Sequence, residues 1–241
     1  MTASREHPMS STRAEPITIA GDHDIHVSGL LQTPPQPRAC YVLAHGAGAG
    51  MNHRFLAAVA AELSQRGIAT LRYQFPYMEH GAKRPDPPHL AHATVRAAVA
   101  AAQQAMPGVA LIAGGKSFGG RMTSQAQAKA PLHGVRGLAF IGFPLHPAGK
   151  PARDRAEHLA DVHIPMLFLQ GTRDTLAMLD QLEPVCAALG PRATLKLFAD
   201  ADHSFHVPAR TGRNDAQVLG GVLDALAAWT DEVLKAPPPA R

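Results

Sequence analysis

Val109-Ala110-Leu111-Ile112-Ala113 is an apolar run that passes directly into Gly114-Gly115-Lys116-Ser117-Phe118-Gly119-Gly120, and a helix is expected from there to about Lys129. The run reads as a buried strand, so Gly115-Lys116-Ser117-Phe118-Gly119 is a G-x-S-x-G at a strand-to-helix turn. A bend this sharp crowds the positions two residues before and after the serine. Glycine tolerates both the crowding and the unusual dihedrals. The hydroxyl of Ser117 is thereby presented over the strand end, where the N-terminus of the next helix favours nearby negative charge.

Gly115-Lys116-Ser117 also ends like a phosphate-cradling G-x-x-x-x-G-K-[ST] loop. That pattern needs its first glycine at position 110, where Ala110 stands, and residues 109 to 113 form the strand itself. Gly46-Ala47-Gly48-Ala49-Gly50 superficially matches a dinucleotide loop. Its third glycine is misplaced, and Ile68 to Tyr73 supply no acidic ribose partner about twenty residues on.

Outward from the turn, short apolar runs alternate with amphipathic stretches, the pattern of a parallel sheet wrapped by helices. Ile17 to Ile19 and Ile25 to Val27, joined by the turn residues 21 to 24, predict an antiparallel hairpin at one edge. Strands are expected at Cys40 to Ala44, Ile68 to Tyr73, Val135 to Ile141, Met166 to Gln170 and Ala193 to Phe198. Helices are expected at His53 to Arg66, His89 to Met106, Asp180 to Leu189 and after the N-cap residue Asn214. Residues 74 to 88 read as a Pro-rich loop and 142 to 164 as irregular. Residues 1 to 15 read as a disordered N-terminal tail, 16 to 232 as a single domain, and 233 to 241 as a flexible C-terminal tail.

A serine hydroxyl needs a base to take its proton and a carboxylate to orient that base. In a strand-turn-helix setting of this kind the acid and then the histidine follow the serine along the chain. Asp174 follows the strand Met166 to Gln170, and His203 follows the strand Ala193 to Phe198, so both emerge at the same carboxyl end of a parallel sheet as Ser117. His206 is the nearest alternative to the base, and Asp180, Asp200 and Asp202 are alternatives to the acid. The expected oxyanion donors are the backbone amides of Phe118 and of Ala47, with Gly48 in reserve. Gly48, Phe75, Tyr77 and Phe143 are candidates for the substrate pocket, with core packing the competing role for each aromatic. Lys116, Arg121, His146 and Lys150 are candidate attractors of an anionic substrate, against solvated surface charge.

With 46% apolar residues and only 17% charged, the 241-residue chain can bury a sizeable core, which excludes disorder throughout. The net charge of +4 comes without a run of consecutive basic residues, so no nucleic-acid partner is expected. Nothing reaches membrane-spanning length, and the first sixteen residues have no apolar run of signal-peptide type. Cys40 and Cys186 form no CxxC or disulfide-like framework, which fits a cytoplasmic protein. The cluster Asp22-His23-Asp24-x-His26 lies in a turn without a second ligand group, so neither metal nor cofactor is expected.

Taken in order, His45-Gly46-Ala47-Gly48-Ala49-Gly50, Gly114 to Arg121 (GGKSFGGR), Gly171 to Asp174 (GTRD) and Asp202 to Phe205 (DHSF) resemble the α/β-hydrolase superfamily, in its small dienelactone-hydrolase-like branch. Phe75 to Met78, Gly142 to Pro147 and Gly149 to Pro151 further resemble a bacterial group related to a subunit of a histone-acetyltransferase complex. The resemblance covers about residues 39 to 230. It implies an α/β-hydrolase fold with a mostly parallel central sheet of about eight strands and a Ser117-His203-Asp174 triad. Dienelactone hydrolases proper carry a cysteine where Ser117 stands, and residues 142 to 164 are too few for a large lid domain. The expected function is hydrolysis of carboxylic esters or thioesters of small soluble substrates through an acyl-enzyme. The alternative is a non-catalytic interaction module that keeps the fold.

Overall fold

The computed structural model describes residues 13–22 and 24–236. Apolar residues of the strands alternate between two faces, and that alternation builds the layers. In β3 (Ala39–Ala44) the side chains of Cys40, Val42 and Ala44 join one core cluster, while Ala39, Tyr41 and Leu43 join another on the opposite face. All six are buried, as a central strand covered on both sides requires. Removing a side chain such as Leu43 from water contributes roughly 1.5–3 kcal/mol.

The sheet has eight strands in the order β1-β2-β4-β3-β5-β6-β7-β8. The hairpin β1 (Glu15–Gly21) and β2 (Ile25–Gln32) pairs antiparallel, and β2 also joins β4 (Ile68–Tyr73) antiparallel. From β4 onward the pairing is parallel through β3, β5 (Ala110–Lys116), β6 (Val135–Ile141), β7 (Met166–Gly171) and β8 (Ala193–Phe198). The helices α3 (Pro88–Ala105), α4 (Phe118–Lys129) and α5 (Leu179–Leu189) contribute Val95, Met122 and Leu182 to one core. On the other face α1 (Arg54–Gln65) and α6 (Asp215–Lys235) contribute Leu56 and Val222. Asn214 caps α6 as expected, its side chain accepting from Gln217 N while the Gln217 side chain accepts from Asn214 N.

Several expected boundaries move. The loop 74 to 88 contains one helical turn, α2 (Pro76–Glu79), which Pro76 can open because the first helical position needs no amide donor. The stretch 142 to 164 contains a 3-10 turn, Asp154–Asp161, which buries Ala156 and Leu159. Strand β5 runs past Ala113 to Lys116, since Gly114 and Gly115 keep their ladder partners in β6. Glu15, expected in the N-terminal tail, pairs with Leu31. The last helix continues past 232 to Lys235 because Val233 still packs on the core. The remaining parts of both expected tails, 1 to 12 and 237 to 241, lie outside the described residues, as does His23 of the Asp-His cluster.

Candidate active site

The carboxyl ends of β5, β7 and β8 bring together side chains far apart in sequence. Ser117 joins β5 to α4 with φ 51° and ψ −115°, a conformation disfavoured for any residue with a Cβ. Strain of this kind costs on the order of 1–3 kcal/mol and persists only where the surroundings enforce it. The flanking glycines do the enforcing. A Cβ on Gly115 would fall 2.3 Å from Ala44 O, and one on Gly119 would fall 2.6 Å from His45 O. The elbow is therefore pressed against the end of β3.

His203 Nε2 lies 2.9 Å from Ser117 Oγ, and His203 Nδ1 lies 2.6 Å from Asp174 Oδ2. An ionised carboxylate only accepts, so the imidazole places its proton on Nδ1 and its Nε2 lone pair accepts from the serine hydroxyl. The Asp174 side chain is fully buried and that of His203 is 21% exposed, so this hydrogen-bond relay runs from the interior to the surface. Asp174 is fixed twice more: its Oδ1 accepts from Leu176 N at 2.8 Å, and its Oδ2 accepts a short hydrogen bond from Gln170 Nε2. The oxygen of the same Gln170 amide, Oε1, accepts from Phe143 N at 3.0 Å. Gln170 thus uses both ends of its side chain to set the carboxylate. Its signal in the sequence is a lone amide closing the apolar strand Met166-Leu167-Phe168-Leu169.

The alternatives make other contacts, although His206 and its partner Asp215 reach the rim of the cleft over Ser117. His206 pairs with Asp215 on the surface, where its side chain is 64% exposed. Asp202 accepts from the amides of Ser204 and His206 and holds the turn that carries His203. Asp200 leads into that turn with its own amide bonded to Thr172 Oγ1, and Asp180 lies in the first turn of α5.

Phe118 contributes the first amide of α4, one of the donors that a helix leaves without an intrahelical acceptor. Ala47 lies in the bend after β3 and lines the same cleft as Ser117. Gly48 N donates to Tyr77 Oη at 3.3 Å, so the reserve amide of that bend is already engaged. Behind the bend, His45 is fully buried, with Nδ1 bonded to Gly46 O and Nε2 accepting from Phe75 N at 3.0 Å. Burial pushes its imidazole down to about 4, so it stays neutral and ties the bend to the end of β4.

The cleft over Ser117 has a volume of about 1060 Å³. Its apolar wall comes from Phe55, Leu176, Phe205 and Leu219, none of them expected from the sequence, and the rings of Phe55 and Phe205 stack at 6.5 Å. The expected aromatic wall is corrected. Phe75 is fully buried among His45, Tyr73 and Phe118, and Phe143 is fully buried against Phe140 and Phe168. Tyr77 is buried and supports Gly48 from behind. These rings lie within the sheet-helix core, where their apolar area gains most from burial. Of the four candidate anion attractors, Lys116 lines the cleft, whereas Arg121 lies over the Phe118 ring, His146 is buried with Nδ1 bonded to Pro147 O, and Lys150 is exposed away from the cleft. Among the described residues no group of three or more His, Cys, Asp or Glu side chains is arranged to hold a metal ion. No described helix is long and apolar enough to cross a membrane.

An eight-stranded, mostly parallel sheet with a serine at the β5–α4 elbow and with a carboxylate and a histidine after β7 and β8 defines an α/β hydrolase of the dienelactone-hydrolase-like type. The chain belongs to the family described as alpha/beta hydrolase domain, whose model matches residues 37–231. Among solved structures it is similar to a serine hydrolase without lid from Xanthomonas campestris, with 20% identity over 98% of this chain and 100% of that one and a TM-score of 0.69. It is similar also to a dienelactone hydrolase from Anabaena variabilis, with 20% identity, 93% and 98% coverage and a TM-score of 0.71. A third is the esterase domain of a Rhodothermus marinus protein, with 17% identity, 91% and 98% coverage and a TM-score of 0.70. At these identities the likeness is one of fold.

Proposed function

We propose that this chain is a serine hydrolase that cleaves carboxylic esters or thioesters of small soluble substrates through an acyl-enzyme. The observation that carries the proposal is the continuous relay from Ser117 Oγ through His203 to Asp174, with both contacts at hydrogen-bond length. His203 takes the proton of Ser117 as its oxygen attacks the acyl carbon, and the carbonyl electrons move onto oxygen. The amides of Phe118 and Ala47 receive that oxyanion. Collapse expels the leaving alkoxide or thiolate, which His203 protonates. Water then repeats the sequence on the acyl-serine and releases the acid, with Asp174 holding the imidazole tautomer throughout.

The choice of an ester or thioester rests on two supports. The cleft is open, since the connection from β6 to β7 holds only one 3-10 turn, and its wall is apolar next to Ser117. Similar structures include an esterase domain and a dienelactone hydrolase. The test is hydrolysis of p-nitrophenyl acetate and of a short acyl thioester, with fluorophosphonate labelling located by mass spectrometry. Label on Ser117 and turnover that Ser117→Ala abolishes are the expected results. A protein that neither labels nor turns over across pH 6 to 9 overturns the proposal and favours a non-catalytic role.

A further inference from the structure

Lys116 stands immediately before the serine, half-buried at the wall of the cleft, and its ammonium is engaged by the turn that carries the base. Its Nζ donates a short hydrogen bond to the backbone carbonyl of His203, 87 residues further along the chain. The ammonium lies 5.8 Å from the centre of the Phe205 ring, a distance at which a cation gains from the ring's quadrupole. A methyl group placed on Gly142 would fall 2.8 Å from Lys116 Nζ and 3.3 Å from His203 Cε1. The ammonium and the imidazole are therefore within about 6 Å of each other across the same glycine.

Within the turn carrying His203, Asp202 accepts from Ser204 N and His206 N, and Phe205 N donates to Asp202 O. Bonds to the loop after β7 and to Asp215 hold its flanks, with Arg173 N donating to Ala201 O and Val207 N donating to the Asp215 carboxylate. Lys116 adds a direct bond from the elbow side to the backbone of His203 itself, from a position one residue from Ser117.

We infer that Lys116 is a positioning residue that ties the His203 turn to the Ser117 elbow and so sets the Ser117–His203 distance, an inference that rests on the triad function proposed above. The Ser117–His203 hydrogen bond joins nucleophile to base, and a displacement of about 1 Å at such a site costs on the order of a hundredfold in rate. The ammonium replaces lost hydration with a carbonyl, an aromatic face and the nearby carboxylates of Asp174 and Asp202. Burial pulls its pKa down to about 8 while both carboxylates oppose that fall. Facing His203 are thus Ser117 from the elbow, Asp174 from the loop after β7, and Lys116 from the end of β5.

The test uses the full chain and p-nitrophenyl acetate. Loss of turnover in Ser117→Ala is the control for the triad itself, and without it the triad function, and not the role of Lys116, has failed. Given that control, Lys116→Met is expected to lower kcat by about ten- to a hundredfold with KM changed less than about twofold, and with an unchanged circular dichroism spectrum. Lys116→Gln, also uncharged, provides the measurement if the methionine variant does not fold. An unchanged kcat in a folded variant overturns the inference, and if KM rises at the same time the ammonium is assigned to substrate binding instead.

Discussion

His203 Nδ1 sits 2.6 Å from Asp174 Oδ2 although the two are 29 positions apart in the chain, with α5, β8 and their connections between them. Parallel pairing of β7 with β8 brings them together: Gly171 is in register with Phe198, so the loops that follow leave the sheet side by side. Backbone bonds then lock the two loops, with Arg173 N donating to Ala201 O at 2.8 Å and Thr172 N to Phe198 O at 3.1 Å.

The Asp174–His203 bond sets the tautomer that leaves Nε2 free to accept. Asp174→Asn keeps the shape and reverses the polarity of that contact, so kcat toward a p-nitrophenyl ester should fall about 10⁴-fold with the fold retained. Steady-state kinetics with circular dichroism check this, and a loss below tenfold would contradict the assigned role.

The elbow stores backbone strain that a glycine would release. Ser117→Gly should abolish turnover and raise stability by about 0.5–1 kcal/mol, because φ 51° costs glycine nothing. Urea titrations of the two proteins compare the midpoints directly. A destabilised Ser117→Gly protein would mean that the hydroxyl contributes more to the fold than the strain removes.

Proline lacks the amide proton at the proposed oxyanion position. Ala47→Pro is expected to reduce kcat about 10²- to 10³-fold with a smaller effect on KM. Stopped-flow acylation kinetics isolate the step, and unaltered acylation would place the second donor elsewhere.

The buried neutral His45 makes stability depend on pH. Its folded value of about 4 lies below the ordinary value near 6.5, so between these the unfolded chain binds more protons and stability rises with pH. The contribution is fully present above pH 6.5 and lost through pH 4, on the order of 3 kcal/mol in all. Thermal melts from pH 7 to pH 4 should show this decline, and His45→Asn should flatten it relative to the parent.

Gln170 carries a buried amide whose partners are both fixed. Gln170→Leu leaves Phe143 N without its side-chain acceptor and removes one of the three donors to Asp174, which should cost about 1–3 kcal/mol of stability and lower kcat. Denaturant midpoints and kinetics on the same samples test both effects.

Local chemistry made the architecture legible. Strands such as Val135 to Ile141 show themselves because a strand buried on both faces must be apolar at nearly every position, and Gly115 and Gly119 mark the elbow because no side chain fits there. The chain positions of Ser117, Asp174 and His203 follow from the rule that functional loops leave a parallel sheet at the carboxyl ends of its strands. Which side chains wall the cleft was beyond that reasoning. Phe75 and Phe143 are chemically as suited to a pocket as Phe55 and Phe205, and burial separates them only through contacts with residues remote in sequence. The same holds for Gln170 and Lys116, whose partners are selected by how neighbouring strand ends and loops are placed in three dimensions. Periodicity and steric exclusion act over a few residues and are written in the chain, whereas the aim of a long side chain is fixed only when distant segments pack around it.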